Sequence, residues 1–322
     1  MKKNIALSVL TVLFGCFIII SCDRGKTLKI RNFRFIYNVS ISIPEESGKL
    51  LKLWVPLPQS NRYQAISNLN IESNYPASQH TEPVYGNRMA FISTKLPLQE
   101  EVRLTISFDV SRKERGSTPA VITDEEKRLF LSPTTKVPRD ARFESIVKDI
   151  LSPENSPLEN ARTLYRYILE RMEYDKSGVG WGQGDAIYAC DIGRGNCTDY
   201  HSLFNAVART AGIPTRFRIG FPIPESEKGE IGGYHCWTEF YTPQEGWVPV
   251  DISEADRHPE LENYLFGHLD PNRVLFTTGR DIQLVPPADG RLVNFFIYPV
   301  LEIDGVRTNE YRLNFSYHSL PE

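Results

Sequence analysis

Basic clusters are scarce in this chain of 322 residues, in which 37 Lys and Arg face 40 Asp and Glu for a net charge of −3. Its cations are scattered and do not form the stripe that nucleic acid requires. A glycine-rich stretch runs from Gly178 to Gly195, but no Gly-Lys-Ser/Thr follows it and no βαβ pattern surrounds it, so a phosphate cradle is not expected. Repeats and low-complexity segments are also lacking, and the length favours two domains.

Cysteine is scarce as well, with five in the chain. Cys16 and Cys22 lie in an apolar N-terminal segment, which leaves Cys190, Cys197 and Cys236. Since three is an odd number, at least one thiol stays unpaired, although a disulfide between Cys190 and Cys236 is possible. Zinc is a competing use, but the spacings C-x6-C and C-x3-H fit no common closed site. We therefore expect no metal and no other cofactor.

Residues 1–21 are predicted to be a lipoprotein-type signal peptide, because the basic head MKKN precedes the apolar run IALSVLTVLFGCFIII. The end of this run, Ile19-Ile20-Ser21-Cys22, resembles a bacterial lipobox, which makes Cys22 the expected lipidation site. Leu13 to Cys16 is a weaker match, since cleavage there would expose Phe17 to Ile20 beside the anchor. An uncleaved membrane helix is the alternative. We expect an exported chain, lipid-anchored on the periplasmic or surface face of the bacterial envelope.

Residues 22–118 are predicted to form an antiparallel β-sandwich domain that serves scaffolding or recognition. Apolar side chains alternate with polar ones over residues 33–43 and again over 102–110, as in half-buried strands. The charged segment SRKERGST at 111–118 is the expected linker. Residues 119–322 would then form a second, α+β domain that ends in a hairpin turning at Asp304-Gly305.

Two helices are clearly indicated in the second domain. One starts at Ser156, which with Pro157 and Glu159 provides an N-cap, a first-turn proline and a capping box. The other spans Cys197 to about Ala211, with Asn196 as N-cap, Asp199 as capping-box partner and an inward apolar face. Cys197 would thus lie in a first turn, where the helix dipole and free N–H groups favour a thiolate.

A hairpin after that helix carries a histidine and an aspartate, in GGYHCWTEFY and GWVPVD. A tip centred near Pro243 would set His235 directly opposite Asp251, and a longer tip would make them diagonal neighbours on the same face. Alternation puts Trp237 with His235 and turns Cys236 to the other face as a small core residue. Cys197, His235 and Asp251 could then act as nucleophile, base and orienting carboxylate.

Each of these residues also has a structural interpretation: a buried thiol, a hydrogen-bonded strand histidine and a turn cap. His201 is a competing base, since it follows Cys197 by four residues and shares its helix face. It would point alongside the thiol and leave little room for a substrate between them. We therefore expect His201, like Trp237, to support the site from beside it.

The segments GDAIYACDIGRGNCTDYHSLFNAVARTAGIPTRFRIGF, GYHCWTEFY and GWVPVD resemble, in this order, the transglutaminase-like superfamily of papain-like cysteine enzymes. The resemblance implies an α+β core in which the helix bearing Cys197 packs on an antiparallel sheet bearing His235 and Asp251. The following VDISEADRHPELENYLFGHLDPNRVLFTTGRDIQLVP is similar to an exported bacterial subgroup that carries an N-terminal β domain. Many members of the superfamily are thought to hydrolyse amides, and some have lost catalysis. Nothing resembles the calcium sites or extra β domains of the animal cross-linking enzymes.

The expected function is acyl transfer from an amide or peptide bond of a peptide or protein through a thioester, with hydrolysis favoured over transglutamination. The oxyanion would meet the Cys197 backbone N–H and a donor from the glycine-rich loop, with Gln183 or Trp181 as candidates. The alternative is a catalytically inactive, lipid-anchored binding protein for a peptide or glycan at the cell envelope.

Overall fold

A computed structural model describes residues 29–42, 48–98 and 100–321 of the protein. The chain begins with strands β1 (Ile30–Ile41), β2 (Leu50–Leu57), β3 (Gln64–Ser73), β4 (Ala77–Thr81), β5 (Arg88–Lys95) and β6 (Val102–Lys113). The predicted alternation is present in β1, where every second side chain is buried: Phe33, Phe35, Tyr37, Val39 and Ile41. These strands are antiparallel to their neighbours.

Helices and strands then mix along the chain. The elements are α1 (Asp124–Leu131), α2 (Ala141–Ile150), α3 (Pro157–Arg171), β7 (Glu173–Tyr174), α4 (Ala186–Ile192), β8 (Arg194–Gly195), α5 (Cys197–Thr210), β9 (Thr215–Pro222), β10 (Lys228–Glu230), β11 (His235–Thr242), β12 (Gly246–Val250), α6 (Ile252–Arg257), a 3₁₀ turn (Pro259–Leu261), α7 (Glu262–Leu265), β13 (Arg273–Thr278), β14 (Val300–Ile303), β15 (Val306–Thr308) and β16 (Arg312–Ser319). The predicted α+β fold class, with a β-rich region ahead of the core, is confirmed.

Two five-stranded sheets make up the β-rich region, with strand orders β10-β16-β1-β6-β3 and β15-β14-β2-β5-β4. Their buried side chains join in one hydrophobic cluster, to which the first sheet contributes Phe35 and Ile106 and the second Leu53 and Ile92. Two sheets that share their inner faces in this way are the arrangement of a sandwich.

The last strands return to these sheets. β16 pairs with β1, and β14 pairs with β2. The predicted hairpin at Asp304-Gly305 forms between β14 and β15, and both of its turn residues have positive φ, 49° and 77°. Strands β14 and β16, within the predicted catalytic domain 119–322, thus pair with strands of the N-terminal sheets. The division into domains stays a prediction.

The segment 111–118 is not a free linker. Its first three residues belong to β6, and buried Arg115 forms an ion pair with Glu239 of β11. Thr118 exchanges backbone hydrogen bonds with Trp247 of β12. The physical reason is that Arg115, whose charge suggested solvent exposure, pairs with a carboxylate of the core. The segment therefore joins the two parts of the molecule tightly.

A third antiparallel sheet, β12-β11-β9-β13, supports the helices. Helix α5 packs on β11 and is surrounded by α2, α3 and α4. Every residue of α5 from Cys197 to Ala208 is buried, although the sequence predicts only one inward face. The difference follows from its position, because a helix enclosed by a sheet and other helices has no solvent side.

Candidate active site

Cys197 is the first residue of α5, and the residues before it fix this start. The Asn196 side chain accepts a hydrogen bond from the Thr198 N–H (2.9 Å), and the Asp199 carboxylate accepts from the Asn196 N–H (2.9 Å). The predicted capping box is therefore present. Cys197 is 2% exposed and stands where unpaired backbone N–H groups favour negative charge.

The carboxylate of Asp199 also holds the glycine-rich loop. It accepts hydrogen bonds from the N–H groups of Gly182 (2.6 Å) and Gly184 (2.9 Å). These two amides are thereby occupied. Of the predicted oxyanion donors, Gln183 is exposed and its carbonyl accepts from Asn294, while Trp181 is half-buried. Neither role is tested by these contacts, and both stay predictions.

His235 begins β11, and Asp251 follows the last residue of β12. The ladder between these strands ends with Thr238 opposite Val250, so Asp251 lies beyond it, diagonal to His235. The directly opposed register is therefore wrong and the diagonal one correct. Asp251 Oδ2 accepts a hydrogen bond from His235 Nε2 over 2.7 Å. This bond leaves the Nδ1 atom of His235 for another partner.

That partner is Cys197, whose sulfur lies within hydrogen-bonding reach of the His235 ring. Burial alone would raise the pKa of Cys197, but the hydrogen bonds of Cys236 and His235 and the charge of His235 lower it to about 5. Burial alone would lower the pKa of His235, because it disfavours the charged ring, but Asp251 and Cys197 together raise it to about 10. Between these values the pair is a thiolate and an imidazolium.

Asp251 has a second partner that sequence analysis missed. Arg273, from β13, donates to Asp251 Oδ2 through Nη1 (2.8 Å) and to Asp270 Oδ2 through Nη2 (2.6 Å). Burial alone would raise the pKa of Asp251, but His235 and Arg273 hold it well below its usual value. Arg273 lies in the segment that resembles the exported bacterial subgroup, but its spacing in the sequence does not indicate a contact with Asp251.

His201 and Trp237 occupy supporting positions. His201 Nδ1 donates to the Cys197 carbonyl (2.7 Å) and Nε2 accepts from the Ile252 N–H (3.1 Å), so both ring nitrogens have backbone partners. Trp237 is fully buried and its ring stacks near that of His235, with centroids 6.4 Å apart. His201 is thus oriented to brace α5 against α6 rather than to take a proton from the Cys197 sulfur.

The other two cysteines within the described ranges are, like Cys197, free, so the possible Cys190–Cys236 disulfide does not form. Cys236 is buried, as predicted for a core residue, but its thiol reaches the Cys197 sulfur as well as His201. Over the same ranges, no three His, Cys, Asp or Glu side chains are grouped to hold a metal ion.

A groove of about 1830 Å³ opens beside His235. One wall comes from the β-rich region, including Arg31 and Asn32, and the other from the core, including Tyr174, Tyr234 and Arg273. The groove therefore depends on the tight joint between the two parts of the molecule. It exceeds the roughly 300–1,000 Å³ of pockets that enclose small ligands.

A buried thiol, imidazole and carboxylate in a row, on a helix start and an antiparallel sheet, define the papain-like class of α+β proteins. The sequence model of the transglutaminase-like superfamily matches residues 144–252, which carry all three groups. This part of the chain is a transglutaminase-like core, as the sequence resemblance predicts for these residues. Such a core supports a cysteine-dependent hydrolase or acyltransferase in general.

Similar proteins span most of the chain. An uncharacterised protein of Haemophilus influenzae is 28% identical over 324 residues, covering 87% of this chain and 88% of that protein. An uncharacterised protein of Mycobacterium leprae is 25% identical over 211 residues, covering 60% of this chain and 73% of that protein. A solved structure from Cytophaga hutchinsonii, proposed to be a cysteine protease, aligns with a TM-score of 0.60 and 18% identity. The alignment covers 91% of this chain and 92% of that chain. This last similarity concerns the fold.

The predicted signal peptide and the lipidation site Cys22 lie outside the described residues. Among the residues that are described, no helix combines the length and apolarity needed to cross a bilayer.

Proposed function

We propose that the protein is a cysteine-dependent amide hydrolase that cleaves polypeptide substrates through a thioester on Cys197. One observation carries the proposal: the His235 ring reaches the Cys197 sulfur on one side and is hydrogen-bonded to buried Asp251 on the other. This is the geometry that activates a nucleophile and fixes the tautomer of its base.

The reaction follows from these contacts. The Cys197 thiolate attacks the substrate carbonyl carbon, and its new C–S bond forms as the carbonyl π electrons move to oxygen. The C–N bond then breaks as protonated His235 gives its Nδ1 proton to the departing amine. Neutral His235 next takes a proton from water, whose oxygen attacks the thioester, and the thiolate leaves again. Asp251 holds the ring throughout.

The oxyanion of the tetrahedral intermediate would form at the start of α5, next to the Cys197 backbone N–H. We propose this amide as one donor. The second would come from the glycine-rich loop, through Trp181 or Gln183, because the amides of Gly182 and Gly184 are already bound by Asp199.

A polypeptide substrate is favoured by the shape of the site. The groove is larger than a small amide needs, and the two parts of the molecule supply opposite walls along which an extended chain could lie. Water is the proposed acceptor. We further propose an exported protein anchored through Cys22, which rests on the sequence of residues 1–22 alone.

The test uses dye-labelled casein as substrate and hydroxylamine as a trap for the thioester. The wild type should release dye-labelled peptides and, with hydroxylamine, form peptide hydroxamates, whereas Cys197→Ala and His235→Ala should do neither. Cys190→Ala is the matched control and should retain full activity, since this half-buried thiol lies outside the row. Incorporation of a labelled amine without cleavage would instead indicate transglutamination. Bound casein without any reaction would favour the binding protein.

A further inference from the structure

The thiol of Cys236 stands beside the proposed nucleophile. Cys236 follows His235 in β11 and turns to the opposite face of the strand, towards α5. Its sulfur lies 3.5 Å from His201 Nδ1 and reaches the Cys197 sulfur. The side chain is fully buried, so it is not exposed to bulk solvent.

The protonation of the His201 ring determines which atoms donate and which accept in these contacts. Its Nε2 accepts from the Ile252 N–H (3.1 Å), so this nitrogen carries a lone pair and the ring proton sits on Nδ1. Nδ1 in turn donates to the Cys197 carbonyl (2.7 Å). Burial lowers the pKa of His201 to about 4, which keeps the ring neutral near pH 7.

It follows that Cys236 can only accept at its contact with His201. The Nδ1 atom has no lone pair, and its one proton points mainly to the Cys197 carbonyl, so the Cys236 sulfur takes at most a share of that N–H and keeps its own S–H free. The acceptor within reach of that S–H is the Cys197 sulfur. Burial and the charge of Cys197 raise the pKa of Cys236 well above its usual value, so it stays a thiol while Cys197 is ionised.

From this geometry we infer that Cys236 is a positioning residue that donates an S–H hydrogen bond to the Cys197 thiolate, with His201 fixing the direction of that donation. The inference rests on the proposed function, because a thiolate on Cys197 is what makes the bond strong. The Cys236 backbone N–H lies on the same side and adds a second donor. Cys197 is thereby held between His235 and Cys236.

Other ionisable groups also act on Cys197 and must stay unchanged in a test of this kind. Besides His235 and Cys236 they are Asp199 of α5, Tyr174 of β7, Tyr234 and Tyr298, and His201 contacts the Cys197 carbonyl. A substitution at Cys236 leaves each of them in place.

The experiment measures the rate at which iodoacetamide alkylates Cys197 as a function of pH, followed by mass spectrometry of the Cys197 peptide. Cys236→Ala and Cys236→Val remove the donor with smaller and larger side chains, so at least one folded variant is expected. Each should raise the apparent pKa of Cys197 by about one unit. Cys236→Ser keeps a donor and should shift the pKa of Cys197 much less than the Ala and Val variants do.

Cys190→Ala is the control for loss of a thiol and should leave the titration of Cys197 unchanged. An unshifted titration in a folded Ala or Val variant, or a Ser variant that shifts as far as they do, would overturn the inference. Either result leaves the proposed function standing. That function fails separately if wild-type Cys197 titrates like an ordinary thiol near pH 8.5.

Discussion

Arg273 and Asp251 form a buried ion pair through the same Oδ2 oxygen that accepts the hydrogen bond of His235. Arg273 is itself fixed by Asp270 (2.6 Å), so the carboxylate of Asp251 is held from behind while it holds the imidazole. The arrangement keeps Asp251 ionised although its side chain is fully buried. The charge that raises the pKa of His235 is thus fixed in place by β13.

Asp251→Asn should separate the charge of this carboxylate from its shape. Without the charge the pKa of His235 falls, the imidazolium is lost, and the pKa of Cys197 rises. We expect kcat for casein to drop roughly 100-fold or more. Alkylation of Cys197 at pH 6 should slow as well. Asp270→Asn should lose less, since it leaves the His235–Asp251 bond intact and only loosens Arg273. Equal losses in both variants would contradict a specific role for Asp251.

Activity should follow a bell-shaped pH profile. The acid limb should fall near pH 5, where Cys197 becomes protonated, and the basic limb near pH 10, where His235 loses the proton that the leaving amine needs. The measurement is kcat/KM for a fluorogenic peptide, together with the pH dependence of Cys197 alkylation. An acid limb near pH 8 would show that the thiolate is not stabilised in the site.

Glu239→Gln should destabilise the joint between the two parts of the molecule. Glu239 is fully buried and pairs with Arg115, Arg216 (2.6 Å) and Arg218 (3.0 Å). Removing its charge leaves three cations facing one another, which should cost about 3–5 kcal/mol in urea unfolding. Glu100, which forms an exposed salt bridge, provides the control, since Glu100→Gln should cost less than about 1 kcal/mol.

The same carboxylate predicts how stability depends on pH. Burial raises the pKa of Glu239, but the three arginines hold it well below its usual value. Its stabilising effect is therefore complete above the unfolded pKa of about 4.3 and is lost as the pH falls below it. Glu239→Gln should lose less stability than the wild type between pH 5 and pH 3. A loss of the same size would mean that other carboxylates dominate acid unfolding.

Gly195→Ala should displace the nucleophile. A Cβ at this position would overlap the Asp199 carboxylate and come within 2.6 Å of its Cβ. Asp199 would have to release the amides of Asn196 and the glycine-rich loop, so we expect a loss of about 2 kcal/mol or more and much slower Cys197 alkylation. Gly116→Ala is the control, because the nearest atom, in His268, would be 3.5 Å away. Normal alkylation in Gly195→Ala would contradict this account.

Local signals in the sequence predicted the parts of the site that depend on local structure. The caps at Ser156 and Asn196 fixed the starts of α3 and α5, because side chains two or three residues away satisfy the first N–H groups. Alternation along β11 put Glu239 and Cys236 on opposite faces, and the structure has them there, with Arg115 and His201 as partners.

Contacts between distant segments were beyond such signals. The charges at 111–118 suggested a linker because a single sequence does not show that Arg115 meets Glu239, 124 residues away. For the same reason Arg273 was missed and Cys236 was taken as packing alone. Pairing of β14 and β16 with strands at the other end of the chain carries no local pattern at all.

The middle position of β1 between β6 and β16 has a consequence for biosynthesis. A ribosome makes β1 well before β16, so one edge of β1 stays open until residues 312–319 have been made. Nascent or prematurely terminated chains would present that edge to each other, and a holdase chaperone that covers extended segments would be expected to raise the yield of soluble protein.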